Sequence, residues 1–340
     1  MAVAARVKPA DFFTPEEWAP LAARSRWMGL WLIAHAWLTI FAAGALFVWL
    51  PNPLTYLLAV MVIGGRQLGL AILMHDGAHG CLHPDQKVND WIGNWLAGAP
   101  TNADLPRYRN YHLQHHKFAQ QGEDPDLSLS APFPITRVSL RRKMIRDLTG
   151  QTFYKQRIVP SLDAFVQGRK KGVPFAKTAR GVFEFWKPFL IFHGVLIAAL
   201  LLLGTTPWLA QHRMGLWWAW PALWLVPMAT WYPLITRLRN IAEHACIAKD
   251  EPDPLRHART TTAGPIARLI LAPYFVNYHC EHHMFMHVPC WNLPRVNRLL
   301  KQKGVTARML TAGNYGEVLT LAAGKPGPAI NRNSADIRGR

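Results

Sequence analysis

Residues 53–79 read PLTYLLAVMVIGGRQLGLAILMHDGAH. The stretch begins with roughly 20 mostly apolar residues, the length that an α-helix needs to cross the hydrocarbon core of a bilayer. It then runs directly into His75 and His79, which are four residues apart and would share one face of a helix. This stretch therefore predicts a membrane helix with a pair of imidazoles at its end.

Clusters of the same kind occur further along the chain. Two of them read His112-Leu-Gln-His115-His116 and His279-Cys-Glu-His282-His283, and a smaller one reads Asn240-Ile-Ala-Glu-His244. Because residues three and four apart lie on the same face of a helix, each cluster can aim its imidazoles at one point. Several helices that do this together are typical of the wall of a metal site.

The distribution of apolar residues predicts four membrane helices. Half of the 340 residues are hydrophobic, and they concentrate in residues 27–50, 53–74, 185–203 and 217–236. The short connections 51–53 and 204–215 would join these helices into two hairpins. We predict an all-α membrane protein, in which the two hairpins carry a cytoplasmic helical cap that holds the histidine clusters. The expected organisation is an interfacial N-terminal arm (1–26), one membrane-embedded domain (27–320) and a disordered tail (321–340), without a cleavable secretory signal.

The positive charge predicts the orientation of this domain. The formal net charge is +18, and Lys and Arg number 4 in residues 1–26, 16 in residues 75–184 and 15 in residues 237–340. The two hairpin connections hold only Arg213. By the positive-inside rule, both termini, the segments 75–184 and 237–320 and all histidine clusters lie on the cytoplasmic side. The excess charge suits anionic lipids or an acidic protein partner. It does not indicate nucleic-acid binding, because no basic module interleaved with stacking aromatics accompanies it.

Two further residue types bear on the membrane domain. The four cysteines fall in segments assigned to the reducing side, so we expect free thiols rather than disulfides. Arg66 lies within the second predicted span, where a charged residue is a functional candidate. The simpler interpretation, which we favour, is that its side chain extends to the nearby interface.

The number of clustered histidines predicts two metal ions. Nine imidazoles exceed the capacity of one ion but suit two ions with four or five ligands each. Imidazole suits zinc, copper, iron and nickel, whereas calcium and magnesium prefer oxygen ligands. The candidate ligands are His75, His79, His112, His115, His116, Asn240, His244, His279, His282 and His283. Asn240 could equally cap a helix, pack, or reach a metal only through water.

Carboxylates lie beside these clusters. Some could bind metal directly, and we expect that several accept the second N–H of a ligating histidine and fix its tautomer. The candidates for this supporting role are Asp76, Asp124, Glu243 and Glu281. Glu123 and Asp126 have the simpler interpretation of exposed surface carboxylates.

The motifs together resemble those of the integral-membrane fatty acid desaturase and hydroxylase superfamily. Its three histidine boxes are similar to His75/His79, His112/His115/His116 and His279/His282/His283, and Asn240-x3-His244 resembles the additional metal-site motif of acyl-CoA desaturases. The likeness covers roughly residues 30–300. The first box has three intervening residues rather than the four of acyl-CoA Δ9 enzymes, the third begins with His rather than Gln, and no fused cytochrome b5 domain precedes the boxes. The resemblance is therefore to the superfamily rather than to one member.

The resemblance implies an enzyme with two iron ions. Such enzymes use O2 and two external electrons, delivered by a separate ferredoxin, rubredoxin or cytochrome b5, to attack an unactivated C–H bond. It implies desaturation of a lipid acyl chain. The alternative within the superfamily is a hydroxylase or ketolase that acts on an acyl chain, sphingolipid, alkane or carotenoid. No general base or nucleophilic triad is expected. Rivals from other classes are a metal transporter or sensor, or a purely structural metal site. A transporter would need polar groups at mid-membrane, whereas the clusters lie at helix ends.

Overall fold

A computed structural model describes residues 6–207 and 216–324. This part of the chain is mostly helical, and its α-helices are α1 (Pro15–Ala22), α2 (Met28–Trp49), α3 (Pro53–Ala78), α4 (Gln86–Trp91), α5 (Leu105–Lys117), α6 (Leu127–Ser130), α7 (Arg137–Leu148), α8 (Gln151–Phe153), α9 (Val159–Lys170), α10 (Phe175–Gly204), α11 (Val226–Ala229), α12 (Trp231–His244), α13 (Pro265–Ile270), α14 (His279–Met284), α15 (Leu293–Gln302) and α16 (Tyr315–Ala322). Three π-helical segments cover Ile92–Gly98, Tyr154–Ile158 and Pro221–Leu225. Short 3-10 turns cover Pro9–Asp11, Ala99–Thr101, Pro254–Arg256, Pro273–Phe275, Cys290–Asn292 and Val305–Ala307.

The described residues also form one small sheet that the all-α prediction did not include. Strand β1 (Arg259–Thr261) pairs in parallel with β2 (Leu310–Ala312), with Thr260 opposite Thr311. An isolated antiparallel bridge joins Thr260 to Tyr278. Because Tyr278 immediately precedes α14, this pairing fixes the start of the helix that carries the last histidine cluster.

Three of the described helices are long and apolar enough to cross a membrane: α2, α3 and α10. Helices α2 and α3 form a hairpin, in which the Asn52 side chain accepts hydrogen bonds from Leu54 N and Thr55 N, both at 3.0 Å. Pro53 follows at the first helical position, where its missing N–H costs nothing. Helix α3 extends beyond the predicted end at residue 74 and includes His75, while α10 begins ten residues before the predicted start at residue 185.

The fourth predicted span does not form one long helix. Within residues 217–236 the backbone passes through the π-helical segment Pro221–Leu225, the single turn α11 and the start of α12. Thr230 separates α11 from α12 with φ −121° and ψ −72°, outside helical values. A fourth crossing of the membrane therefore remains a prediction.

Helix α3 is the enclosed centre of the membrane domain. Of its most apolar 18-residue window, 78% is buried inside the protein, compared with 17% for α2 and 6% for α10. Its glycines permit this enclosure by close approach. A Cβ atom at Gly65 would lie 2.6 Å from the Leu269 carbonyl oxygen, and one at Gly69 would lie 2.6 Å from the Tyr274 ring. The glycines thus let the segment between α13 and α14 pack directly on the backbone of α3.

Arg66 secures the same contact. Its side chain is only 3% exposed, and one guanidinium nitrogen donates to the carbonyl oxygens of Arg268 and Leu269, both at 2.7 Å. These carbonyls lie in the last turn of α13, where carbonyl groups lack helical partners. Arg66 therefore binds protein carbonyls instead of extending to an interface, and our favoured interpretation of this residue was wrong.

The ends of the chain pack onto the domain where they are described. In the N-terminal arm, the Phe13 and Trp18 rings lie 5.5 and 5.2 Å from the Phe285 ring, which follows α14. At the other end, α16 continues through the buried Ala322, two residues into the predicted tail. Residues 325–340 of that tail, and most of the predicted connection 204–215, lie outside the described residues.

Removal of the Arg66 charge should loosen the segment that leads to α14. We expect Arg66→Met to cost about 1.5–3 kcal/mol, because hydrogen bonds from a charged donor to two buried carbonyls are lost. Thermal unfolding of the purified protein in detergent should shift to lower temperature, and Arg66→Lys should restore part of the loss. Arg142→Met, at an exposed position on α7, is the control. Equal unfolding temperatures for Arg66→Met and this control would contradict the assigned role.

Candidate metal centre

Four helix ends bring the nine clustered histidines together. Helix α3 supplies His75 and is followed by His79, and α12 ends on His244. The other six residues lie on α5 and α14, and they are His112, His115, His116, His279, His282 and His283. They divide into two groups, within each of which the candidate ligand atoms lie within 4.8 Å of one another.

The first group has five members from three helix ends. It consists of His75, His79, His112, His116 and His282, and all five side chains are buried. His116 Nε2 lies 2.9 Å from His112 Nε2 and 3.1 Å from His282 Nε2. Neither ring nitrogen of His75 or His79 has a hydrogen-bond partner. Buried polar atoms without partners are rare, so these nitrogens indicate a missing ligand.

The second group has four members, also from three helices. It consists of His115, His244, His279 and His283, of which only His283 is partly exposed. His244 Nε2 lies 2.9 Å from His279 Nε2, and His115 Nε2 lies 3.3 Å from His283 Nε2. The two groups alternate along the chain, since His115 and His116 of α5 belong to different groups. A one-residue step turns a helix by about 100°, so neighbouring residues face different points.

Burial favours the neutral form of six of these imidazoles. Desolvation, together with neighbouring histidines, lowers the pKa of His112, His116 and His282 well below its ordinary value. The same causes lower the pKa of His244, His279 and His283. A neutral imidazole has a free lone pair and can bind a metal ion. Two groups of five and four converging nitrogen donors therefore fit two ions of the metals that prefer imidazole.

Residues outside the clusters orient two of the histidines. Asp124 is buried, and its Oδ1 lies 2.8 Å from His115 Nδ1, which leaves Nε2 facing the second group. Asp124 is itself held by the backbone N–H groups of Gln120 and Asp126. The Gln120 side-chain amide lies 3.4 Å from His244 Nδ1. This arrangement matches the outer support that ligating histidines require.

The other predicted carboxylates occupy different positions. Asp76 Oδ1 is 3.7 Å from His75 Nδ1, too far for a hydrogen bond, and Oδ2 accepts from Cys290 N at 2.8 Å. Glu281 accepts from Thr260 and Asn297, and therefore ties α14 to β1 and α15 rather than to a histidine.

Glu243 lies on the inner side of the second group. Its Oε2 is 3.5 Å from His279 Nε2, the nitrogen that also faces His244, and 3.0 Å from an Arg239 nitrogen. Burial raises the pKa of Glu243 to about 8, although Arg239 acts in the opposite direction. Because this carboxyl group lies beside the converging nitrogens, it is positioned as an additional metal ligand. It is not positioned to accept a hydrogen bond from the outward-facing nitrogen of a histidine.

Sequence reasoning missed Gln120, Tyr108 and Thr260. The Tyr108 ring stacks on His112 with centroids 5.2 Å apart, and its position four residues before His112 could have revealed the shared face. Gln120 lies in an irregular turn with φ 63°, and Thr260 is distant in sequence, so neither contact has a sequence signal.

A chamber of about 420 Å³ adjoins this centre, and we call it the polar chamber. Its wall includes Leu68 and Ile72 of α3, Tyr108 of α5, Phe153 of α8, and Tyr232 and Asn240 of α12. Asn240 lies one turn before His244, so it reaches this chamber next to the second group. The chamber thus touches both histidine groups through neighbouring residues.

A family model described as fatty acid desaturase matches residues 48–310, which include both histidine groups. The chain belongs to the fatty acid desaturase family. This family consists of membrane di-iron oxidoreductases, and the resemblance inferred from the histidine boxes is confirmed.

Two relatives of this family member catalyse different reactions. A β-carotene ketolase from Paracoccus sp. (strain PC1) is 26% identical over 273 residues, which cover 79% of this chain and 88% of the relative. A dihydrorhizobitoxine desaturase from Bradyrhizobium elkanii is 23% identical over 251 residues, which cover 73% of this chain and 68% of the relative. The comparisons therefore indicate an oxidoreductase of the desaturase and ketolase type without distinguishing the two reactions.

Loss of the Asp124 carboxylate should weaken the second group of donors. We expect Asp124→Asn to lower metal affinity about 10–100-fold, because His115 loses the acceptor that fixes its tautomer and direction. Metal content after dialysis against graded chelator concentrations measures this change. Glu123→Gln alters the neighbouring carboxylate and should leave retention unchanged. If both variants retain metal equally, Asp124 does not support a ligand.

Proposed function

We propose that this protein is a membrane-bound di-iron oxidoreductase that uses O2 and two external electrons to desaturate a lipid acyl chain. The observation that carries the proposal is the pair of buried groups of five and four converging histidines. One iron would be held by His75, His79, His112, His116 and His282, and the other by His115, His244, His279 and His283. Glu243 is an additional candidate ligand of the second iron, and Asn240 would contribute to its binding directly or through water.

When bound, the irons would supply the activation of O2 that permits attack on an unactivated C–H bond. The residues of this chain would bind the irons, position the substrate and exclude water. Asp124 and Gln120 fix the His115 and His244 rings from behind. Tyr108, stacked on His112, and the neighbouring apolar wall of the polar chamber limit where a substrate carbon can lie. Burial of the histidines keeps the reacting carbon out of bulk water.

Desaturation and oxygen insertion both begin with cleavage of an unactivated C–H bond. With O2, two electrons and two protons, desaturation removes two hydrogens from adjacent carbons and yields two water molecules. Hydroxylation, the first step towards a ketone, places one oxygen atom in the product and yields one water molecule. Since one relative is a desaturase and another a ketolase, hydroxylase or ketolase activity on an acyl chain, sphingolipid, alkane or carotenoid is the second candidate.

The surroundings of the reaction follow from the charge distribution. We propose that the histidine groups and both termini face the cytoplasm, supported by the concentration of Lys and Arg in residues 75–184 and 237–340. The electrons would come from a separate chain such as a ferredoxin, rubredoxin or cytochrome b5. A metal transporter or sensor is less well supported, because the nine histidines lie in buried groups at helix ends.

Metal analysis tests the di-iron centre. We expect about two irons per chain in protein purified after expression with iron. His116→Ala should lower the iron content and abolish turnover, because Nε2 of His116 faces two other ligands of the first group. His287→Ala, at an exposed histidine outside both groups, should retain the metal. One metal per chain, or zinc alone in protein with full activity, would refute the di-iron proposal.

Lipid profiling distinguishes the two candidate reactions. Expression in a host with a suitable electron donor should give products that lack two hydrogens relative to the substrate. The His116→Ala host supplies the background. A product that gains one oxygen atom would instead assign hydroxylation or ketone formation to the same centre.

A further inference from the structure

The polar chamber is unusual for a hydrocarbon site because its wall contains four cationic side chains. These residues are Lys143, Arg157, Arg237 and Arg239. The remaining wall is largely apolar, with Leu68, Ile72 and Phe153 among its residues. A site for a purely apolar molecule would place desolvated charge against hydrocarbon, which is costly without compensation. The partners of each cation therefore decide whether the wall carries unpaired positive charge.

Two of the four cations already have carboxyl partners within the protein. Arg237 makes two hydrogen bonds to Asp147, at 2.5 and 2.8 Å, and Asp147 is completely buried. The hydroxyl of Thr152 occupies the same carboxylate at 2.6 Å. Arg239 pairs with Glu243 at 3.0 Å. These two arginines are thus committed to protein carboxylates.

The other two cations have no carboxylate partner among the described ion pairs. Arg157 donates one hydrogen bond, at 2.9 Å, to the carbonyl oxygen of Asn102, which is uncharged. No described hydrogen bond or ion pair joins Lys143 to a carboxylate. The nearby Asp147 carboxylate already accepts hydrogen bonds from Arg237 and Thr152. Asp126 is the one acid described in the chamber wall, and it accepts a hydrogen bond from the Tyr111 hydroxyl. Lys143 and Arg157 thus outnumber this one acid, and the described wall carries an excess of positive charge. Because both cations are partly exposed, solvent can balance this charge, and the anionic group of a ligand can take the place of that solvent.

The position of these cations separates them from the metal centre. Lys143 lies on α7 and Arg157 on the π-helical segment after α8, and both side chains are partly exposed. Tyr108 and Asn240, in contrast, adjoin the two histidine groups. The wall thus combines two cations on α7 and the segment after α8, apolar side chains, and residues beside the two histidine groups. This combination suits a molecule that has an anionic group at one end and hydrocarbon at the other.

We propose that the substrate is an anionic amphiphile whose carboxylate or phosphate is bound by Lys143 and Arg157 while its hydrocarbon part extends along the apolar wall towards Tyr108. The inference rests on the proposed function, and it excludes neutral hydrocarbons such as alkanes and carotenes as the preferred substrates. Charge-assisted hydrogen bonds at the outer end position the chain, and the distance from that end to the irons sets which carbon reacts.

Equilibrium binding tests this assignment independently of turnover. The probes are radiolabelled hexadecanoic acid, hexadecyl phosphate, methyl hexadecanoate and hexadecane, presented to the immobilised iron-loaded protein in a neutral detergent. We expect one or both anionic probes to bind at least tenfold more tightly than the neutral probes of the same chain length. Tighter binding of the acid or of the phosphate identifies which anionic group the chamber accepts. Equal affinity of all four probes would overturn the proposal.

Matched variants locate the binding group. Lys143→Gln and Arg157→Gln should each weaken binding of the preferred anionic probe about tenfold and leave binding of methyl hexadecanoate unchanged. Arg146→Gln and Lys155→Gln remove exposed cations from the same two segments outside the chamber wall and serve as controls. If the control variants weaken binding of the anionic probe equally, the effect comes from general surface charge, and the assignment is overturned.

Turnover and metal content separate this proposal from the proposed function. In the variants, iron content should match the unmodified protein, and KM for the anionic substrate should rise about tenfold with kcat nearly unchanged. If the unmodified protein binds the anionic probes tightly but holds no iron, the proposed function fails while the binding site stands. If it holds iron and oxidises hexadecane as efficiently as the anionic probes, the binding proposal fails while the di-iron function stands.

Discussion

The rest of the structure depends on one constraint: nine imidazoles must converge on two points inside a water-poor protein interior. Each histidine group draws on three separate helix ends, so no single element can form either group alone. A buried imidazole without a partner is costly, and His75 and His79 have none within the described residues. Metal ligation would give these nitrogens a partner, and the surrounding fold must be rigid enough to hold them together.

Helix α3 supplies this rigidity. It is the most enclosed of the three long apolar helices, and Gly65 and Gly69 allow the segment before α14 to pack against its backbone. Arg66 then holds the carbonyls at the end of α13, ten residues before the last histidine cluster begins at His279. Helix α14 is also anchored by Glu281, whose carboxylate accepts hydrogen bonds from Thr260 and Asn297. Residues that touch no histidine group thus determine where three of the nine imidazoles lie.

The histidines were predictable from the sequence because the information is local. Spacings of three and four residues on a helix fix a shared face, and family membership, later confirmed by the comparisons, followed from those spacings. The division of the nine into two groups was not predictable, since it depends on how α3, α5, α12 and α14 cross. The same limit applies to Glu281, whose position next to His282 suggested a contact with the cluster, although its oxygens face Thr260 and Asn297.

Hydropathy predicted the three long apolar helices, but it did not predict that residues 217–236 form shorter, irregular pieces. Residues 217–236 are as apolar as a membrane helix, but Pro221, Pro227 and Pro233 each remove a backbone donor and favour the π-helical segment and the break at Thr230. This irregular backbone places Met228 and Tyr232 in the wall of the polar chamber. Irregular backbone at membrane depth is tolerated where it is buried in protein or lines a cavity. The departure from a simple hairpin thus coincides with the chamber that adjoins the metal centre.

The location of the chamber also shows why size alone does not identify a substrate site. A larger apolar cavity, of about 560 Å³, lies between α2, α10 and residues 216–224, with Trp49 and Leu203 in its wall. Its contact with α3 is at Ile63, twelve residues before His75, which corresponds to roughly 18 Å along the helix. A C–H bond held there is too far from the histidine groups to react. The smaller chamber includes Tyr108 and Asn240 in its wall, so in the proposed function the reacting carbon would lie there, and Lys143 and Arg157 would contribute to the selection of substrate.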